Sequence, residues 1–184
     1  LDDMQRTGGR AVLGLRKGTV ELMSHQPEWR FAFVAERNRL SDAIGLDKYR
    51  VEHIGSTSVP GLPAKPVLDM AVLVRERELM PALKSALTSK GYIDRGDKGQ
   101  NGGHLFVFEE SVEVRTIHLH ALHYGDPQWL AYLRFRDSLR SDGSLRDEYA
   151  RLKVCLANAM PNDRAAYTAG KNDFIQRVLK AIQE

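Results

Sequence analysis

Two short stretches carry residue types suited to chemistry. Val51-Glu52-His53-Ile54 is an apolar-patterned segment that runs into Gly55-Ser56-Thr57-Ser58. A second run, Val67-Leu68-Asp69-Met70-Ala71-Val72-Leu73-Val74, has a single acid among apolar residues. A carboxylate in such a strand is costly to bury unless it is paired or bound to a metal. A glycine followed by hydroxyl residues at a turn lets the backbone approach an anion and offers it N–H and O–H donors. If both features sit at the same end of neighbouring strands, they hold a phosphate beside a divalent ion. Gly55, Ser56, Thr57 and Lys65 are then the candidate phosphate contacts. Asp69 is the candidate catalytic carboxylate and metal ligand.

His118 and His120 add a second group. Residues two apart on a strand share a face, so both imidazoles lie on one side of the segment 114–122. Asp69, His118 and His120 form a candidate metal set, with His120 as a second catalytic candidate. A carboxylate alone suits Mg²⁺ or Mn²⁺, and added imidazoles move the preference toward Zn²⁺, Mn²⁺, Fe²⁺ or Ni²⁺. The bland alternative is that the two histidines face solvent or make local hydrogen bonds. For Asp69 and the serines it is a structural turn with local caps.

The elements that must position these residues follow from periodicity. Trp29, Phe33, Leu40 and Ile44 recur at helical spacing between Pro27 and Gly45, which predicts an amphipathic helix. Residues 50–54 read as a strand. The nearly continuous apolar run at 67–74 reads as a central strand covered on both faces. Leu79, Leu83 and Leu87 define a helix over 77–90, and 94–103 reads as a glycine-rich loop. The segments 104–108 and 114–122 form a predicted hairpin. Beyond Pro127 the chain reads as three helices: 129–140, one faced by Leu145, Tyr149, Leu152 and Leu156, and one faced by Tyr167, Phe174, Ile175 and Val178. Strands first and helices after predict an α+β fold, a small mixed sheet flanked by helices with a C-terminal layer of three. Residues 18–184 are expected to form one domain, and 1–17 a poorly ordered lead-in.

Bulk properties exclude several classes. The 184 residues are 42% apolar and 28% charged, as in ordinary globular domains. A formal charge of +3 is too small by itself to argue for nucleic acid. Cys155 is the only cysteine, which rules out an intrachain disulfide and fits a reducing, cytoplasmic setting. No apolar run is long enough for a membrane-spanning helix. The glycine-serine turn is not a P-loop, because Pro60 stands where the second glycine is needed and Lys65 is followed by Pro66.

The segments 52–62 and 64–69 resemble the central motif of the GrpB family, within the nucleotidyltransferase-like superfamily. His118-Leu119-His120, Phe135-Arg136-Asp137-Ser138-Leu139, Tyr149-Ala150-Arg151-Leu152-Lys153 and Tyr167-Thr168-Ala169-Gly170-Lys171 resemble its later motifs. The resemblance implies a nucleotidyltransferase-like fold, a nucleotide or other phosphate compound as ligand, and a divalent metal (Mg, Mn or Zn). In such a cleft Lys153 and Lys171 would add positive charge for the phosphates. Active nucleotidyltransferases carry a second acid two residues after the first, and here that position is Ala71. Three readings therefore stand: a metal-dependent nucleotidyl or phosphoryl transferase, a non-catalytic phosphate-binding accessory domain like those fused to dephospho-coenzyme A kinase, and a histidine/aspartate metal hydrolase.

Overall fold

The apolar run that carries Asp69 forms the middle of a mixed sheet. The computed structural model describes residues 13–45, 49–99 and 102–182. Strands β1 (Leu15–Arg16), β2 (Tyr49–Ile54), β3 (Leu68–Val74), β4 (Ile93–Asp97), β5 (His104–Ser111) and β6 (Val114–His123) make one sheet. Its order is β2-β3-β6-β5-β4, with β1 paired to the start of β6. Among the described strands only β3 and β6 pair in parallel; their register sets Asp69 beside His118 and Ala71 beside His120.

Both faces of β3 are covered, as its unbroken apolar pattern predicts. On one face Leu68, Met70, Val72 and Val74 pack with Trp29, Leu40, Leu83 and Leu87. Those partners come from α1 (Glu28–Ile44) and α2 (Met80–Ser89). On the other face Ala71 and Leu73 meet Ile54, Leu122 and Trp129, the last from α3 (Pro127–Ser141). The remaining helices are α4 (Gly143–Ala159), α5 (Arg164–Ala169) and α6 (Asn172–Ala181). Tyr149, Phe174 and Val178 from this layer close over Val59 and Leu62. Three of these helices start on an aspartate whose carboxylate accepts from a first-turn N–H: Asp126, Asp142 and Asp163.

The architecture is α+β, as predicted, with differences in detail. The C-terminal layer has four helices, not three. The expected last helix is interrupted between Ala169 and Asn172, where a Cβ on Gly170 would stand 2.6 Å from the Leu156 side chain. The loop expected over 94–103 contains β4. Its polar sequence hides it, because it is an edge strand held through β5 and through Asp94, which binds Lys84 at 2.5 Å and His104 at 2.6 Å. Part of the expected lead-in is ordered: Leu15 is buried in β1 and Gly14 donates to Pro66 O. Residues 1–12 of it lie outside the described residues. Cys155, on a helix expected to face the core, is exposed. Among the described residues no helix is long and apolar enough to cross a membrane.

Candidate functional site

The glycine-serine bend and the lone carboxylate do converge. Ile54, the last residue of β2, pairs with Asp69 on β3, and Gly55 turns the chain at φ 67° and ψ −172°. That conformation is almost confined to glycine. A Cβ at this position would stand 2.5 Å from Asp69 Oδ2. Gly55 is therefore required by the packing of the carboxylate against the bend. Ser56–Ser58 then form a single 3-10 turn in which Ser58 Oγ donates to Gly55 O at 2.6 Å.

Beside this bend lies a pocket of about 180 Å³, walled by Ser56, Lys65, Asp69, His118, Lys153, Arg164, Tyr167 and Lys171. Asp69 Oδ1 lies 3.0 Å from His118 Nδ1, and Arg164 Nη2 lies 3.0 Å from His118 Nε2. A guanidinium can only donate. His118 Nε2 is therefore the acceptor, and Nδ1 carries the proton that it gives to Asp69. The imidazole is neutral and fixed in one tautomer. Burial moves its pKa downward more than the Asp69 hydrogen bond raises it. Burial raises the Asp69 carboxyl, but the hydrogen bond it accepts from His118 and the nearby positive charge of Lys65 outweigh that, leaving it well below the usual carboxylate range.

Opposite the carboxylate stand cations. Lys171 Nζ lies 4.6 Å from the centroid of the Tyr167 ring and Lys65 Nζ 5.2 Å from it. Burial and then the charges of Lys171 and Arg164 bring Lys65 down to about 7. Burial chiefly brings Lys171 down to about 8. Lys65, Lys171 and Arg164 thus crowd one carboxylate. A site with surplus, partly suppressed positive charge is built for an anion.

Other expected residues take different positions. Thr57 lines the pocket, but its hydroxyl is 2.9 Å from His53 Nε2. Lys153 also lines it, yet is 2% exposed, and its ammonium donates to Pro63 O. Burial, with Lys171 and Lys65 adding repulsion, holds its pKa well below the ordinary lysine value. It ties α4 to the segment after the bend, and its proton faces a carbonyl instead of an open anion site. His120 does not line the pocket: its Nδ1 donates to Gly102 O at 2.9 Å and its ring lies 5.5 Å from Tyr132. Arg136, noted as a basic residue of the helical motifs, reaches Glu52 Oε2 at 2.9 Å and His53 O at 3.0 Å, clamping α3 to β2.

The donor set does not fit a resident divalent ion. Both ring nitrogens of His118 are engaged, His120 is turned to the glycine loop, and three cations face the carboxylate. Among the described residues no group of three or more His, Cys, Asp or Glu side chains is placed to hold a metal. Two pocket residues escaped the sequence reading, Arg164 and the pocket-facing role of Tyr167. The one local signal was Pro161-Asn162-Asp163, a helix-start pattern that places Arg164 at the first position of α5.

Similar proteins give the setting. The sequence profile of a family described as "GrpB protein" matches residues 19–181. The UPF0157 protein YqkA of Bacillus subtilis is 34% identical over 160 residues, covering 87% of this chain and 46% of that protein. The dephospho-CoA kinase of Mycolicibacterium paratuberculosis is 30% identical over 176 residues, covering 89% of this chain and 41% of the kinase. The crystal structure of the conserved protein GrpB from Enterococcus faecalis superposes with a TM-score of 0.77 at 32% identity, covering 89% of this chain and all of the other.

Proposed function

This chain belongs to the GrpB family, and on that footing we propose that it binds the phosphate group of a nucleotide or other phosphate compound in the pocket beside Asp69. The observation that carries this reading is the convergence of Lys65, Lys171 and Arg164 on one small pocket. At about 180 Å³ the pocket is smaller than the ~300–1,000 Å³ typical of whole organic ligands. It suits a phosphoryl group with the rest of the ligand outside. Ser56, at the pocket wall, adds a hydroxyl. Binding needs no metal in this scheme, because the protein's own cations neutralise the phosphate. The 30% identical relative that is a dephospho-CoA kinase agrees with a ligand-binding module attached to phosphate chemistry.

A second reading, transfer of the bound phosphoryl group, rests on the Asp69–His118 pair. A phosphate ester that draws Arg164 to itself leaves His118 Nε2 free to accept the proton of an attacking hydroxyl as that oxygen bonds to phosphorus, while the P–O bond to the rest of the ligand breaks and the leaving oxygen departs outside the pocket, taking a proton from water. Asp69 would hold the ring and stabilise the imidazolium.

Isothermal titration with inorganic phosphate, pyrophosphate and ATP, each with and without Mg²⁺, tests the binding claim. Binding of at least one of them without Mg²⁺ is expected, and its loss in Lys65→Met/Lys171→Met. Absence of binding by all three, or binding indifferent to the double substitution, removes the proposal.

A further inference from the structure

On the far side of the 56–58 turn lies a second and larger cleft, of about 780 Å³. Thr57 borders both cavities, so the wall between them includes the Thr57–His53 hydrogen bond. Four arginines line the second cleft, Arg30, Arg136, Arg140 and Arg146, against one carboxylate, Glu52. Glu52 is spent on Arg50 and Arg136. Arg140 gives two hydrogen bonds to Ser58 O and leaves Nη1 3.6 Å from Asp137. Among the described residues the side chains of Arg30 and Arg146 have no hydrogen bond or ion pair. Arg146 is nonetheless half-buried beside Gly61.

Apolar groups complete the lining. Phe31 is 71% exposed and Val34 42%. Behind them Phe33 stacks on His53, with centroids 4.8 Å apart and planes 14° from parallel. Burial lowers the Arg140 pKa, and the neighbouring Arg136 and Arg30 lower it further. The guanidinium groups repel one another, and a bound anion would relieve that repulsion. His53 cannot supply compensating charge of either sign, since burial holds it neutral at about 4.

We propose that this arginine-rich cleft is a separate binding site for a small aromatic phosphate ester of the nucleoside monophosphate type, its phosphate held by Arg30 and Arg146 and its ring on Phe31. The assignment goes beyond the pocket at Asp69 and uses none of the cations there. Guanidinium groups match phosphate oxygens through two parallel donors. An exposed phenyl ring offers a stacking surface to a flat base. The cleft volume lies in the range for a whole nucleotide, whereas the pocket at Asp69 has room for a phosphoryl group alone.

AMP, adenosine and inorganic phosphate are the probes, titrated calorimetrically into the intact chain. With the pocket at Asp69 disabled by Lys65→Met/Lys171→Met, AMP should bind at least ~10-fold more tightly than either fragment, because only AMP uses both the arginines and the ring. Arg30→Ala/Arg146→Ala should weaken AMP by ~10-fold or more, and Phe31→Ala by ~5-fold. Among the described residues neither arginine side chain makes a hydrogen bond or ion pair, so unchanged melting temperatures are expected. Arg146→Lys, which keeps the charge and loses the fork, should give an intermediate affinity. In Lys65→Met/Lys171→Met, which removes the cations of the pocket at Asp69, AMP should still bind and should still weaken by ~10-fold or more on Arg30→Ala/Arg146→Ala. The inference is overturned if AMP fails to bind at millimolar concentration, or if its binding ignores the arginine substitutions. It is also overturned if AMP binding is lost in the lysine variant instead, an outcome that places the ligand beside Asp69 and leaves the phosphate reading intact.

Discussion

The phosphate pocket makes a quantitative prediction about pH. Its two titrating cations are Lys65, at about 7, and Lys171, at about 8. An anion that requires both in the charged form meets, by simple titration, ~90% of the protein competent at pH 6 and ~0.1% at pH 9. Sulfate is the suitable probe, because it does not titrate in this range and phosphate does. Its affinity should fall by about a hundred- to a thousandfold from pH 6 to pH 9, the lower figure applying if the neutral lysines still donate hydrogen bonds. At pH 7.5 the free protein lacks ~0.8 proton on Lys65 and ~0.2 on Lys171, so sulfate binding should take up about one proton. Calorimetry in buffers of different ionisation enthalpy reads that proton directly. Stability of the unliganded fold should move the opposite way. Both folded-state pKa values lie below the unfolded value of 10.5, so the unfolded chain binds more protons across this window and stability rises with pH. A sulfate affinity that is flat from pH 6 to 9, or a proton uptake near zero, refutes the cation assignment. So does an unchanged pH profile in Lys65→Met.

Gly55→Ala should cost about 2–4 kcal/mol in a urea melt, from a backbone region almost closed to other residues plus the 2.5 Å approach to Asp69; a loss under ~1 kcal/mol would contradict that geometry. Ala71→Asp, which would add the second acid of the motif the sequence resembles, should destabilise by about 3–5 kcal/mol, because position 71 is fully buried among Ile54, Leu122 and Trp129. A stable variant would show the position open to a ligand or ion. Arg136→Met should cost about 1–2 kcal/mol by leaving the His53 carbonyl without its donor and Glu52 with Arg50 alone, and thermal melts at pH 7 provide the check.

Much of the fold could be read because its strongest elements announce themselves. The continuous apolar run at 67–74 is a strand buried on both faces, and Asp69 was conspicuous because nothing else in that run is polar. β4 could not be read, since Asp94, Arg95 and Asp97 form an exposed edge whose pairing is decided by β5. Strand parity placed His118 and His120 on one face and could go no further. The parallel register decides between them, setting His118 opposite Asp69 and His120 opposite Ala71. Ser56, Lys65 and Lys171 were legible from motif and charge. Arg164 was not, because its partner His118 is 46 residues away and no local pattern encodes that meeting. Lys153, also legible from its motif, reaches the pocket wall as expected of its position, but its burial against the Pro63 carbonyl could not be read from the sequence.

The departure at Ala71 and the crowd of cations are two sides of one electrostatic arrangement. A pair of carboxylates at 69 and 71 would need an ion between them, since like charges at that spacing cannot both stay ionised without one. With alanine there, position 71 packs in one buried cluster with Leu122 and with Trp129 of α3. A single carboxylate remains, and its negative charge is already met by the Nδ1–H of His118 and the nearby Lys65. What is left over is positive: Lys171 and Arg164, with nothing negative of their own in the pocket. Two cations over one neutralised acid leave an anion as the complementary guest. If Ala71→Gly, which removes volume without adding charge, leaves sulfate affinity unaltered while Arg164→Met weakens it, then the pocket's preference resides in those cations and not in any vestige of a metal site.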